Sequence, residues 1–210
     1  MEKKLNLFIT FEGGEGTGKS SAAKIIKAKL TQEGFDVFLT REPGGKGLPF
    51  AEDIRKIIMN HGNIDLVTEL LLFEASRREH ITKKIIPALK EGKLVISDRF
   101  EDSTVVYQGI VKGIDIDTIK SANKIATGNN SPSLVFIFDL DPEEGIARIN
   151  IGNRETNRFD EEGMNFHRKI REGYHTLAES DKNKYIIVDA SKPIKEVAEF
   201  IISKIKEYEG

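Results

Sequence analysis

An α/β fold, built on one five-stranded parallel sheet with helices on both faces, is what this sequence predicts, and three observations predict it. Apolar runs of about five residues recur along the chain: LFITF (7–11), FDVFL (35–39), LVIS (94–97), LVFIF (134–138) and YIIV (185–188). Each is short and uninterrupted, as a strand buried on both faces should be. Stretches with helical period separate them, and strands alternating with helices form parallel sheets. Finally, 210 residues at 39% hydrophobic content suffice for one substantial core and fall short of two, so residues 1–210 are expected to form a single domain.

In chain order, the first run enters a glycine-rich turn, FEGGEGTGKSS (11–21), that opens the first helix. The second run leads into TREPGG (40–45), and the third into DRF (98–100). After the fourth, DLDPEEGIARI supplies Asp141 as N-cap, Pro142 at the first helical position and Glu143 in the first turn. Residues 148–163 come next, polar, charged and bracketed by glycines, and read as a flap. The last helix, PIKEVAEFIISKIKEY, puts Ile194, Val197, Ala198, Ile201, Ile202 and Ile205 on one stripe.

Bulk charge excludes some partners. With 32 basic and 34 acidic side chains the formal net charge is −2, so no global field favours nucleic acid or an anionic membrane, and any anion site must be local. Cysteine is absent, which removes disulfides, thiolate nucleophiles and Cys-based zinc sites, and fits a reducing compartment. The N-terminal apolar stretch is too short for a signal peptide and no 18-residue apolar window occurs, so a cytoplasmic location is expected.

The turn carries the chemistry. Gly13-Gly14-Glu15-Gly16-Thr17-Gly18-Lys19-Ser20 matches G-x-x-x-x-G-K-[ST] between a strand and a helix, the context in which the P-loop pattern is meaningful. Its glycines let backbone N–H groups curl around phosphate oxygens, and the helix N-terminus adds its dipole. Lys19 would neutralise the β and γ phosphates, and Ser20, followed by Ser21, offers a hydroxyl to Mg²⁺. A nucleoside triphosphate is the expected ligand.

P-loop folds host switches, mechanical ATPases and phosphotransferases. A guanine switch needs Asp-x-x-Gly and Asn-Lys-x-Asp, whereas Asp98 is followed by RFE, and NKIA (123–126) lacks the base-reading carboxylate. Mechanical ATPases are usually larger. Transfer to a small acceptor needs a second anion site, several arginines and a flap that expels water. TREPGG and DRF stand at strand C-terminal ends, where such sheets bind ligands, and Arg154 and Arg158 lie on the flap.

FEGGEGTGKS, TREPGG, LLFEASRREH, IPALKEGKLVISDRF, STVVYQG and NRFDEE, in this order and spacing, resemble bacterial thymidylate kinases from about residue 5 to the C-terminus. The resemblance implies the P-loop NTPase fold, strand order 2-3-1-4-5, a homodimer, and phosphorylation of dTMP by MgATP. Glu42, Pro43, Arg55 and Arg99 then belong to the dTMP site, the two arginines clamping its phosphate. Phe73 and Arg77, four apart on one helical face, would stack on the thymine and bond a base oxygen; the alternative is a core Phe73 with a solvated Arg77. Gln108 would accept from N3–H, Tyr107 would lie near the sugar, and Thr104 could meet the same base. Glu15 would accept the acceptor's 3′-hydroxyl, and Asp98 would stand near Mg²⁺, directly or through water, or else cap the next helix. Arg154, Arg158 and Arg148 would reach over the transferring phosphoryl group. Phe100 and Val106 depart from the family's usual Tyr and Ala. Alternatives are a UMP/CMP kinase, distinguished by Arg77 and Gln108, and a nucleotide-binding regulator without turnover.

Overall fold

Strands form at the five apolar runs. In the computed structural model, which describes residues 4–152 and 156–209, they are β1 (Phe8–Gly13), β2 (Val37–Arg41), β3 (Leu94–Asp98), β4 (Leu134–Asp139) and β5 (Tyr185–Asp189). All neighbours pair in parallel, in the order β2-β3-β1-β4-β5. The P-loop strand β1 therefore has a neighbour on each side, β3 carrying DRF and β4 carrying the way into the flap. β2 starts two residues later than the run FDVFL, because Phe35 N bonds back to Leu30 O and finishes the preceding helix.

Side chains alternate across the sheet with the period of two that a pleated strand imposes. Ile9, Phe11, Ile96, Phe136 and Phe138 pack with Ile26 and Leu30 of α1 (Lys19–Gln32) and Val197, Ile201 and Ile205 of α9 (Ile194–Glu209). The expected stripe of α9 is thus its buried face, each large aliphatic contributing about 1.5–3 kcal/mol. On the opposite face, Val135 and Ile137 meet Ile170 and Tyr174 of α8 (Met164–Ser180), while Phe8 and Val95 meet Ile81, Ile85 and Phe100.

The remaining helices carry the loops at the strand C-terminal ends. They are α2 (Pro49–Asn60), α3 (Leu66–His80), α4 (Ile86–Lys90), α5 (Glu101–Thr104), α6 (Ile116–Thr127) and α7 (Pro142–Ile151). Asp141 caps α7 as expected, accepting from Glu143 N at 3.0 Å with Pro142 in the first turn. Asp65 caps α3 through Val67 N and Thr68 N. A π-helical turn over Ile81–Ile85 joins α3 to α4. Pro87 lacks an N–H, and its ring would crowd the carbonyl four residues back, at Lys83, so the turn widens there. A second π segment, Val105–Val111, continues α5 and carries Tyr107 and Gln108. Among the described residues no helix is long and apolar enough to cross a membrane.

The two family departures have structural settings. Phe100 is fully buried, edge-on to Phe8 at 5.0 Å between centroids. Val106 is also fully buried and faces α8 at Gly173, where an added Cβ would come within 2.9 Å of Val106 Cγ1. That glycine accommodates its bulk.

Candidate functional site

The phosphate loop leaves β1 at Gly13 and enters α1 at Lys19. Gly16 has φ +70°, and a Cβ there would stand 2.0 Å from Gly145 O of α7, so left-handed backbone and close approach both require glycine. Lys19 is folded into the loop, its Nζ donating to Gly13 O (3.1 Å), Gly14 O (2.6 Å) and Thr17 Oγ1 (3.0 Å). Burial, with help from the nearby Arg99 charge, lowers its pKa to about 8 against the pull of Glu15, Asp98 and Glu12. It remains cationic at neutral pH.

Ser20 Oγ donates to Asp98 Oδ2 at the end of β3. These are hard oxygen donors beside the phosphate loop, and they fit Mg²⁺, which prefers a few protein oxygens supplemented by phosphate and water. No cluster of three His, Cys, Asp or Glu suited to a metal occurs among the described residues.

Arg99 links the loop to the other side of the site. Its φ of +72° is unusual for a side-chain-bearing residue and is the kind of local strain that collects at functional positions. Nη2 pairs with Glu15 Oε1 at 2.6 Å, and Nη1 reaches Gly13 O, Ser103 Oγ and Tyr174 OH at 3.0–3.3 Å. Tyr107 OH donates to the same Glu15 oxygen at 3.0 Å. Beneath them, Glu12 accepts from Phe100 N, Ser103 Oγ and Tyr174 OH at 2.6–2.8 Å, which fixes the loop bearing Arg99. Burial, then the charge of Asp102, pushes the Glu12 carboxyl up to about 7.

Two further guanidinium groups stand near Arg99. Arg41 Nη1 and Arg55 Nη1 both donate to Pro43 O, at 2.9 and 3.1 Å, beyond the cis Glu42–Pro43 peptide. Arg41 Nη2 grips both oxygens of Glu52. Burial, then repulsion from Arg41 and Arg99, lowers Arg55 to about 10. Crowded cations of this kind welcome a dianion.

Most of these groups, Lys19, Ser20, Glu15, Asp98, Arg99, Ser103, Tyr107, Arg41 and Arg55 among them, border one cleft of about 440 Å³. It joins residues 15–21 of the phosphate loop to Glu42, Pro43, Arg55, Phe73, Asp98, Arg99, Tyr107, Gln108 and Arg148, so most of the expected site residues share one wall. Phe73 reconciles its two readings, since it lines the cleft and also packs against the apolar cluster of α8. Gly13 and Gly14 border a smaller cavity of about 20 Å³ behind the loop. Arg148 donates to Ala190 O and Glu144.

Three expected residues sit elsewhere. Arg77 is neither solvated nor on the cleft wall. It is 1% exposed, with Nε on Glu42, Nη1 on Glu74, Thr104 and Asn123, and Nη2 on Phe100 O. Thr104 is buried in that network and donates to Glu101 O. Arg158 gives Nε to Ile58 O at 2.6 Å and Nη2 to Glu69, with its guanidinium 4.4 Å from the Phe159 ring centre. Arg154 lies outside the described residues.

Sequence reasoning missed Arg41, Met59, Ser103, Ile149, Gly152, Asn157 and Phe159 on the wall, and Glu12 and Glu69 beneath it. Arg41 was legible as the basic residue of TREPGG, and Glu12 as a carboxylate inside an apolar strand.

Known proteins resemble this chain in sequence and in fold. The family model described as thymidylate kinase matches residues 11–201. A thymidylate kinase of Geobacillus sp. (strain WCH70) is 46% identical over 203 residues, 95% of this chain and 96% of that one. One of Bacillus pumilus (strain SAFR-032) is 42% identical over 204 residues, 96% and 95% of the two chains. The crystal structure of thymidylate kinase from Ehrlichia chaffeensis superposes with a TM-score of 0.75 at 31% identity, covering 95% of this chain and 98% of that one. A phosphate loop facing a cluster of arginines across one cleft, on this strand order and with these relatives, places the chain in the thymidylate kinase family of phosphotransferases.

Proposed function

We propose that the chain transfers the γ-phosphoryl group of ATP to dTMP, giving ADP and dTDP. The observation that carries this reading is the single cleft lined both by the phosphate loop and by Arg41, Arg55 and Arg99, with Arg99 bonded to the loop at Gly13 and Glu15. A donor phosphate on the loop and an acceptor phosphate on the arginines would share that cleft and could meet without crossing open solvent.

An oxygen of the acceptor phosphate attacks the γ-phosphorus as the bond to the β–γ bridging oxygen breaks, and ADP leaves with that electron pair. The acceptor is already ionised at neutral pH, so the protein needs no general base and works by positioning and charge neutralisation. Lys19 and the loop N–H groups take the donor phosphates, while Arg55 and Arg99 hold the acceptor phosphate with Arg41 beside them. Glu15, at the junction, takes the acceptor 3′-hydroxyl, and Tyr107 borders the sugar. Phe73 stacks on the base, worth about 1–3 kcal/mol by analogy with nucleic-acid stacking. Gln108 reads the base edge. A direct bond from Arg77 to the base requires exchange of one of its protein partners, so we assign it the floor beneath the base.

Ser20 and Asp98 would hold Mg²⁺, which when bound neutralises phosphate charge. One domain bears the activity, and residues 148–163 act as its lid, with Arg148 serving ATP, Arg158 anchoring the acceptor side, and Arg154, outside the described residues, the candidate to neutralise the transferring phosphoryl group. A homodimer belongs to the same reading, because Phe50 and Ile57 of α2 and Val67 and Leu71 of α3 are 42–62% exposed. Light scattering that gives a monomer mass at micromolar concentration removes it. A cytoplasmic location, expected from the composition, is checked by cell fractionation.

The activity test is ADP release with ATP and dTMP, dUMP, dCMP or UMP as acceptor. The expected result is fastest turnover with dTMP and little ADP without an acceptor. A preference for UMP or dCMP overturns the thymidylate reading, and equal ATP consumption with and without acceptor overturns phosphotransfer.

A further inference from the structure

Gln108 and Glu69 meet beneath the cleft. Gln108 Nε2 donates to Glu69 Oε1 at 2.7 Å, and both residues are 1% exposed. The carboxylate also accepts from Lys112 Nζ, at 2.8 and 3.1 Å to its two oxygens, and from Arg158 Nη2. Glu69 begins a stripe on α3 with Phe73 and Arg77, at spacings of four, so it lies on the helix face that bears the base platform.

An amide has two ends of similar shape and opposite chemistry, one accepting and one donating. Which end of Gln108 faces the cleft decides which base edge it can read. Thymine offers N3–H, a donor, whereas cytosine offers an unprotonated N3, an acceptor. Burial favours the protonated form of Glu69. Hydrogen bonds from Lys112, Arg158 and Gln108, with the Lys112 charge, outweigh it and hold the carboxyl below its usual range. An ionised carboxylate only accepts, so it can pair only with the amide nitrogen.

We propose that Glu69 is a specificity-determining positioning residue: it locks the Gln108 amide with nitrogen inward and oxygen toward the cleft, admitting a base with N3–H and opposing cytosine. The inference rests on the dTMP reading. It assigns the discrimination to a carboxylate that need not touch the substrate, and rejection arises because a flipped amide would aim its oxygen at Glu69.

The test compares kcat/KM for dTMP and dCMP in the wild type and in Glu69→Gln. The substituted amide can donate or accept, so Gln108 gains the freedom to turn. The dTMP:dCMP ratio is expected to fall at least about tenfold, with dCMP use holding or rising as dTMP use falls. General damage would lower both together, and a ratio unchanged within about twofold overturns the proposal. In a Gln108→Met background, Glu69→Gln should leave the ratio unaltered; a further fall of the same size also overturns it.

A measurement on the wild-type protein does not depend on the variant folding. The chain has two glutamines, Gln32 and Gln108, and Gln32 is exposed. With side-chain ¹⁵N-glutamine labelling, one amide pair should show a proton protected from solvent exchange and the other should not. Two pairs exchanging alike overturn the lock. Wild-type protein that fails to prefer dTMP over dCMP sinks the functional reading itself, whereas wild-type preference with an unchanged ratio in Glu69→Gln sinks only this inference.

Discussion

Glu12 is the residue at which fold and site make opposite demands. It stands in the strand that launches the phosphate loop and is fully buried, yet it carries a carboxyl. Three donors explain its presence: they tie Phe100, Ser103 and Tyr174 to β1 and so fix the backbone from which Arg99 projects. Burial raises its pKa from 4.5 to about 7. The native state therefore binds more protons than the unfolded one between those values, and this contribution to stability falls as pH rises from about 4.5 to about 7. At 1.36 kcal/mol per pH unit the loss is about 3 kcal/mol, complete above the folded pKa. Glu12→Gln keeps an acceptor for Phe100 N and removes the titration. Its stability relative to wild type should rise by a few kcal/mol from pH 5 to pH 8 in urea unfolding, and parallel curves for the two proteins would remove Glu12 as the titrating group. The residue was visible in the sequence as an acid among apolar neighbours. Its partners were not, since they arrive from the loop after β3, from α5 and from α8.

At the scale of elements, legibility followed how local the cause was. The capped start of α7 and the stripe of α9 are written in neighbouring residues and appear as expected. The π segments are not, because an extra residue in a turn leaves the helical period intact on either side and shifts only its phase, rotating every side chain beyond it. The segment over Val105–Val111 sets how Tyr107 and Gln108 enter the cleft, so part of the site's geometry was hidden for the same reason. Val106 in that segment against Gly173 of α8 is likewise a tertiary pairing. Replacing a helical glycine with alanine ordinarily gains up to about 1 kcal/mol. Here the added methyl would stand 2.9 Å from Val106 Cγ1 in a packed layer, and overpacking costs about 1–3 kcal/mol. Gly173→Ala should therefore destabilise by about 1 kcal/mol. Val106→Ala should turn that loss into a gain when the two are combined, because the obstructing methyls are gone. Additive losses in a double-mutant cycle of unfolding free energies would show that the two positions are independent.

For the molecule as a whole, the flap proposed as a lid has one aromatic ring at the centre of its described contacts. From residue 156 to residue 163 only Phe159 is buried, and it is edge-on to Tyr107 at 5.8 Å while also facing Lys112 and Arg158. Arg158 adds its bonds to Ile58 O and Glu69. Phe159 and Arg158 thus pack this part of the flap against the side of the sheet where α2 and α3 meet the π segment. Truncating a buried Phe to Ala costs about 3–5 kcal/mol in a core. Spent on docking of a flap rather than on the sheet, even 3 kcal/mol shifts the docked population by about a hundredfold. Phe159→Ala should leave the global unfolding transition within a few degrees of wild type. It should also raise KM for dTMP about tenfold or more and increase ADP release without acceptor, because a loosened flap admits water to the γ-phosphate. Titration calorimetry with ATP alone should change far less, since the phosphate loop that holds ATP is built from β1 and α1. Lowered thermal stability with unchanged KM would instead make Phe159 a core residue that only borders the cleft. Loss of ATP and dTMP binding in equal measure would mean that the two ends of the cleft are not independently built.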